Sequence, residues 1–268
     1  MKKINIFCLS LSNFHYQKIV DMNYIPVGLG EEKFSDQWVK DKIGKNISYK
    51  NKFYGEYTFH YWLWKNNFLN NNNFEEWIGF CTYRRFWSKV NPKKDEFNLV
   101  DDVLNEVPDE WKKFDSVLVE PIYTNITKLS KILKHGKKQL IKNPFIFFNK
   151  NKITIKVHFD MYHGHGNLDK AIDLLETHER EKFRNFVDTE IVFSPYNMFI
   201  CRSKKILFDY YSSIFPWLVK CENVFGFDMN DSYGEKRIYG FLAERYLSFW
   251  FKNYANHITW PVYFKNIG

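Results

Sequence analysis

Apolar positions along this chain fall into two kinds of run. Short unbroken runs bounded by polar or turn residues read as buried strands: Ile4 to Leu9, Trp77 to Cys81, Val117 to Val119 and Asn197 to Cys201. Tyr24 to Gly30 reads as another short strand, broken by its glycines. Other runs repeat at helical spacing. Phe53 to Asn66 sets Tyr57, Tyr61 and Trp64 on one stripe, flanked by Tyr54 and Phe68. Ile206 to Val219 is a second helix, tolerating or kinking at Pro216, and Arg237 to Phe251 is the last. Asn167 is placed to cap a helix through Leu175, and Asn125 to start one running to about Lys134. Lys137 to Lys156 has no period and reads as an insertion, mobile around residues 135–160. Strands alternate with helices, so the expected fold is α/β with a mostly parallel sheet, in one domain over residues 1–268.

Composition narrows the class. At 45% hydrophobic and 26% charged residues, the chain is a folded protein rather than a disordered one. Its 27 Phe, 17 Tyr and 9 Trp fill the core for the most part, with a minority left to stack on bases or sugar faces in a cleft. The net charge of +8 suits nucleic acid, an anionic membrane face or a phosphorylated small molecule, and the basic residues are not gathered into one tail. Cys8, Cys81, Cys201 and Cys221 have no CxxC spacing, and Cys8, Cys81 and Cys201 lie inside apolar runs, so buried free thiols in a reducing cytoplasm are expected. The apolar stretch after Met1-Lys2-Lys3 is too short for a signal peptide, and no segment is long enough to span a bilayer. Any contact with the inner membrane is therefore expected to be peripheral.

Several nucleotide and nucleophile motifs are missing. The chain has no G-x-x-x-x-G-K-[ST] and no G-x-S-x-G, and Gly28-Leu29-Gly30 lacks the third glycine and following helix of a dinucleotide site. His158, His163 and His165 cluster on a Gly-rich turn, where loop histidines are a better reading than a zinc site. Tyr83-Arg84-Arg85 is more informative. It follows an apolar strand, and open α/β sheets bind ligands beyond the carboxyl ends of their strands. Two guanidinium groups there match phosphate oxygens, or else form structural salt bridges with Glu75, Glu76 or Glu120. In Gly240 to Arg245, Glu244 is placed either as a general base or as an ion-pair partner of Arg237.

These motifs resemble a family of bacterial capsular and exopolysaccharide glycosyltransferases, long catalogued as a domain of unknown function. The resemblance runs from Ile25-Pro26-Val27-Gly28 through Asn46-Ile47-Ser48, Lys50-Asn51, and Glu56 and Thr58 before Tyr61 to Asn66. It continues through Ile78 to Cys81, Tyr83-Arg84-Arg85, His163, Asn197-Met198-Phe199 and Gly240 to Arg245. The chain departs from the family at Thr82, usually His, at Asn167, often Asp, and in the loop Ser10 to His15, which lacks a His-Lys start.

The resemblance implies a GT-A-like fold and transfer of a sugar, from a UDP-linked or other nucleotide-diphosphate donor, to a polysaccharide or lipid-linked oligosaccharide. Arg84, Arg85, Arg237 and Arg245 then bind diphosphate, and Glu244 is the base, with His163 as a second acid/base. Asn51, Glu56 and Asn197 hold sugar or acceptor hydroxyls, and Tyr83 and Trp87 form a stacking wall. GT-A enzymes commonly hold Mg²⁺ or Mn²⁺ on an Asp-x-Asp pair, which this chain lacks, so the arginines are expected to replace the metal. Composition leaves two alternatives: a single-stranded nucleic-acid binder and a non-catalytic subunit of a capsule assembly complex.

Overall fold

The computed structural model describes residues 3–72, 74, 76–89, 97–126, 141, 149–228 and 233–268. Its strands begin with β1 (Ile4–Ser10), β2 (Ile25–Gly28), β3 (Val39–Lys40), β4 (Trp77–Thr82) and β5 (Arg85–Trp87). They continue with β6 (Ser116–Val119), β7 (Ile122–Tyr123), β8 (Val192–Phe193), β9 (Phe199–Cys201), β10 (His257–Trp260) and β11 (Val262–Phe264). The main helices are α1 (Tyr16–Asp21), α2 (Tyr57–Lys65), α3 (Ile155–Tyr162), α4 (Asn167–Ile172), α5 (Thr177–Thr189), α6 (Lys204–Phe225) and α7 (Ile238–Tyr254).

The chain folds into two compact units where the sequence suggested one domain. The first comprises Met1–Glu120, Tyr196–Ser212 and Phe251–Gly268, and the second Pro121–Pro195 and Ser213–Trp250. Neither is one continuous stretch, so no linker marks a boundary in the sequence.

The first unit is built on a sheet in the order β10-β6-β9-β4-β1-β2-β3, with β5 joining β4 to β11. β4, β1, β2 and β3 run parallel, β10 runs parallel to β6, and β9 is antiparallel between β6 and β4. The mixed α/β fold with a mostly parallel central sheet is the one expected. In β1 only Asn5 escapes full burial, because a strand covered on both faces reads as a continuous apolar run. Alternate residues still go to opposite faces. Phe7 meets Phe59 of α2 and stacks near Phe80 at 5.8 Å, whereas Ile6 and Cys8 belong to a core that includes Trp77, Trp87 and Trp111. The abundant aromatics are largely this core. His60 is buried with them, its Nδ1 2.6 Å from Tyr211 Oη, and burial pushes its pKa down to about 3.

In the second unit, α3, α4 and α5 pack together, and β7 pairs with β8. α5 carries few apolar residues among many charges. Phe183, Phe186 and Val187 nonetheless sit at helical spacing and are buried, a signal too sparse to stand out in the sequence.

Three expected elements change. The helix read over Phe53 to Asn66 is interrupted at Gly55, which takes φ 57° and ψ −130°, so a one-turn helix Asn51–Tyr54 precedes α2. Asn167 does not cap α4; Gly166 at φ 80° does, and Asn167 donates its amide to His163 O at 2.9 Å. The segment read as an insertion contains, in its described part, a turn at Lys150–Lys152 and α3, whose Thr154 hydroxyl accepts from Val157 N. The expected helix to Lys134 and the basic stretch from Lys131 lie outside the described residues beyond position 126, apart from residue 141. No described helix is long and apolar enough to cross a membrane.

Candidate functional site

In the first unit, β4 does not simply run out into a loop. Thr82 pairs with Arg85 of β5, so Tyr83 and Arg84 are the two residues of a tight hairpin turn. This separates the two arginines. Arg84 projects at the turn, exposed, and no carboxylate pairs with it among the described residues. Arg85 lies in β5 with its guanidinium 3.9 Å from the Tyr196 ring and 5.5 Å from Phe264. Glu76 is 3.5 Å from Arg202, and Glu75 falls outside the described residues.

A cavity of about 530 Å³ opens at the carboxyl ends of β1 and β4, a usual size for a small-molecule site. Leu11, Phe14, His15 and Lys18 line it from the segment after β1, and Tyr83 and Arg84 from the turn after β4. The residues 266–268 close one side, and Lys18 Nζ donates to Ile267 O at 2.8 Å. His15, Tyr83 and Arg84 form a layered stack, with rings 4.8 Å apart at 20° and the guanidinium 4.8 Å from the Tyr83 centroid. His15 Nδ1 shares a 2.7 Å hydrogen bond with the buried Ser10 hydroxyl. Burial first, then Lys18 and Arg84, lower the His15 pKa against an opposing pull from Glu32. The imidazole is therefore neutral at pH 7 and leaves Lys18 and Arg84 as the cavity's cations. Phe14 is 89% exposed, an apolar ring offered to solvent at the rim.

The sequence reading missed His15, Lys18 and Phe14. The Ser12-Asn13-Phe14-His15 segment after the first strand carries no fixed motif, and only the parallel pairing of β1 with β4 sets it beside Arg84. Trp87 is a correction: it is fully buried and its indole N–H donates to Phe80 O at 2.9 Å, so it is core and not a stacking wall. Asn51 and Glu56 do not line the cavity. Asn51 Nδ2 donates to Gly55 O and Thr58 Oγ1, bracing the break before α2, and Glu56 stands at the head of that helix. Tyr196 and Asn197 take φ 76° and 54°, a strained pair for non-glycine residues, just before β9. Asn197 is buried there.

The second unit holds the other expected residues. Arg245 is fully buried, ion-paired with Glu244, and lies 4.0 Å over the Phe193 ring, with Nη2 3.4 Å from His158 Nδ1. Burial lowers the Arg245 pKa and Glu244 raises it back. His163 stacks on Phe241 at 3.9 Å, and burial, then Arg245 and His158, hold it neutral. Glu244 pairs with Arg245, and Arg237 Nη1 donates to Tyr233 Oη at 2.7 Å.

The carboxyl end of β4 holds Thr82, Tyr83 and Arg84, and no group of three metal-ligating side chains occurs among the described residues.

A search of curated proteins found no match. Among solved structures, the apo form of WbbM, a bifunctional glycosyltransferase, aligns with a TM-score of 0.62 at 22% identity. The alignment covers 97% of this chain and 45% of that one, and it establishes a shared fold. Residues 10–256, which carry both the Tyr83-Arg84 turn and the Glu244-Arg245 pair, match the model of the domain of unknown function DUF4422, and the chain belongs to that family.

Proposed function

We propose that the protein is a glycosyltransferase whose cavity in the first unit binds a nucleotide-diphosphate sugar, and that a surface polysaccharide or oligosaccharide is the acceptor. The observation that carries this reading is the cavity at the carboxyl ends of β1 and β4, with two cations, Lys18 and Arg84, beside aromatic faces. Arg84 has no carboxylate partner among the described residues, and its planar fork suits a diphosphate. The fold shared with a glycosyltransferase supports the same class.

In the transfer, an acceptor hydroxyl attacks the anomeric carbon, the bond from that carbon to the diphosphate oxygen breaks, and the nucleoside diphosphate leaves with the electron pair. Lys18 and Arg84 stabilise the charge that builds on the leaving diphosphate, the work a metal does elsewhere. The proton of the acceptor hydroxyl passes to a general base as the new bond forms.

A thermal-shift screen of nucleoside diphosphates and their sugars, with and without Mg²⁺ or Mn²⁺, tests the reading. One nucleotide should raise the melting temperature without metal, and a mixture with acceptor glycan should release nucleoside diphosphate. Salt-sensitive binding of single-stranded oligonucleotides, with no response to any nucleotide sugar, would replace this reading with the nucleic-acid one.

A further inference from the structure

The hydrogen bonds beneath the cavity fix which nitrogen of His15 carries the proton. Ser10 Oγ has three close partners: Ser12 O at 3.0 Å, Ser12 N at 3.0 Å and His15 Nδ1 at 2.7 Å. A hydroxyl has one proton to give, a carbonyl only accepts and an amide only donates. The three contacts are therefore satisfied together only when Ser10 donates to Ser12 O and Nδ1–H donates to Ser10. The lone pair of the neutral ring then lies on Nε2, which makes no hydrogen bond among the described residues. Gly268 adjoins that nitrogen and puts no side chain there, where a Cβ would fall 2.2 Å from it.

The charges around the ring decide when Nε2 takes a proton. Burial opposes it first, and Lys18 of α1 and Arg84 of the turn after β4 add to that, while Glu32 after β2 favours it. Tyr83 faces the ring as an aromatic surface at 4.8 Å, and residues 266–268 bring no ionisable side chain. A diphosphate held by Lys18 and Arg84 offsets both opposing charges and adds a negative one to the cavity, which reverses the balance. The imidazolium keeps Nδ1–H on Ser10 and gains Nε2–H, so protonation needs no rotation of the ring.

We propose that His15 is a further donor-binding residue, which takes up a proton as the diphosphate binds and gives Nε2–H to a phosphate oxygen. This rests on the donor reading of the cavity. The proton comes from the buffer and returns to it when the nucleoside diphosphate leaves, and no covalent step involves the ring. A ring that stayed neutral would instead accept from the ring N–H of a uracil, thymine or guanine base.

The test is calorimetric titration of the wild type and His15→Gln with UDP, GDP, ADP, CDP and dTDP, in buffers of different ionisation enthalpy. The nucleotide's own ionisation is common to both proteins, so the difference in proton uptake belongs to His15. For the nucleotide bound best, the wild type should take up about half to one proton more than the variant at pH 7. Its affinity advantage should be greatest near pH 6 and shrink about tenfold by pH 8, because a group protonated on binding loses its contribution as pH rises. In the wild type, the imidazole resonances of His15 should titrate about one pH unit higher with nucleotide bound, a readout that needs no variant. Equal proton uptake in the two proteins, or an imidazole that titrates alike with and without nucleotide, overturns the His15 assignment and leaves the donor reading standing. Loss of UDP, dTDP and GDP affinity alone in the variant, with no proton uptake, overturns it in favour of a contact with the base. Failure of the wild type to bind any of these nucleotides overturns both.

Discussion

Arg84 and Arg245 are the same residue type, yet the two units treat them in opposite ways. Arg84 stands at the tip of a hairpin turn, on the wall of a cavity, with a ring beneath it and no carboxylate partner among the described residues. Arg245 is enclosed, with Glu244 as its ion partner and Phe193 across its face. A guanidinium left without a counter-charge beside a cavity is available to an anion from solution. One that is buried and neutralised is part of the fold, and removing it strands its partner. Among arginines given one role by motif, the immediate environment separates a binding group from a structural one.

Four measurements break or sharpen that contrast. The largest effect is expected from Arg245→Ala, which removes the ion partner of the buried Glu244 and should cost about 3–5 kcal/mol in urea unfolding. Replacing both partners, as Glu244→Gln with Arg245→Met, should recover much of the loss; a single variant of near wild-type stability would break the comparison. Asp41→Asn should stabilise the protein by about 3 kcal/mol at pH 7.5, because burial raises the folded carboxyl to about 6 from an ordinary 3.8. The raised folded pKa means that the favourable contribution of the protonated form is complete below the unfolded value and lost as pH rises through about 6. The gain from Asn should therefore shrink toward zero near pH 4, and a pH-independent gain would rule out the charge as its source.

Arg84→Ala should weaken nucleoside-diphosphate binding by about 10- to 100-fold, the worth of charge-assisted hydrogen bonds, while stability changes by less than about 0.5 kcal/mol. Unchanged affinity with the protein folded would remove Arg84 from the site. The smallest effect, none, is expected of EDTA on transfer activity, because the end of β4 offers cations where a metal would need carboxylates. Loss of turnover restored by Mn²⁺ would show that a metal site is assembled from residues not recognised here.

Legibility varied along the chain for physical reasons. β1, β4 and β6 were plain because strands buried on both faces need continuous apolar runs, and such runs are rare elsewhere. α5 was not, since three buried residues anchor it among charges, and α2 read as too long because Gly55 breaks it through backbone conformation rather than composition. At the site, Arg84 was visible by its place after a strand. Trp87 was misjudged, because Phe86 and Trp87 are both fully buried, so packing on both faces of β5, and not place after a strand, decides their role. His15 and Lys18 carry no local signal at all. They enter the site through pairing between strands some seventy residues apart in the chain.

The sequence alone determined the α/β class, the apolar strands, the motif family and the absence of an Asp-x-Asp pair, all of which depend on residue order over short spans. Tertiary structure decided which of the arginines faces a cavity and which is locked in an ion pair. It also decided which aromatics are walls and which are core, and that Asp41 is fully buried. Those properties arise from burial and from neighbours brought together across long loops, and a residue's environment, unlike its type, is not written in its own stretch of chain.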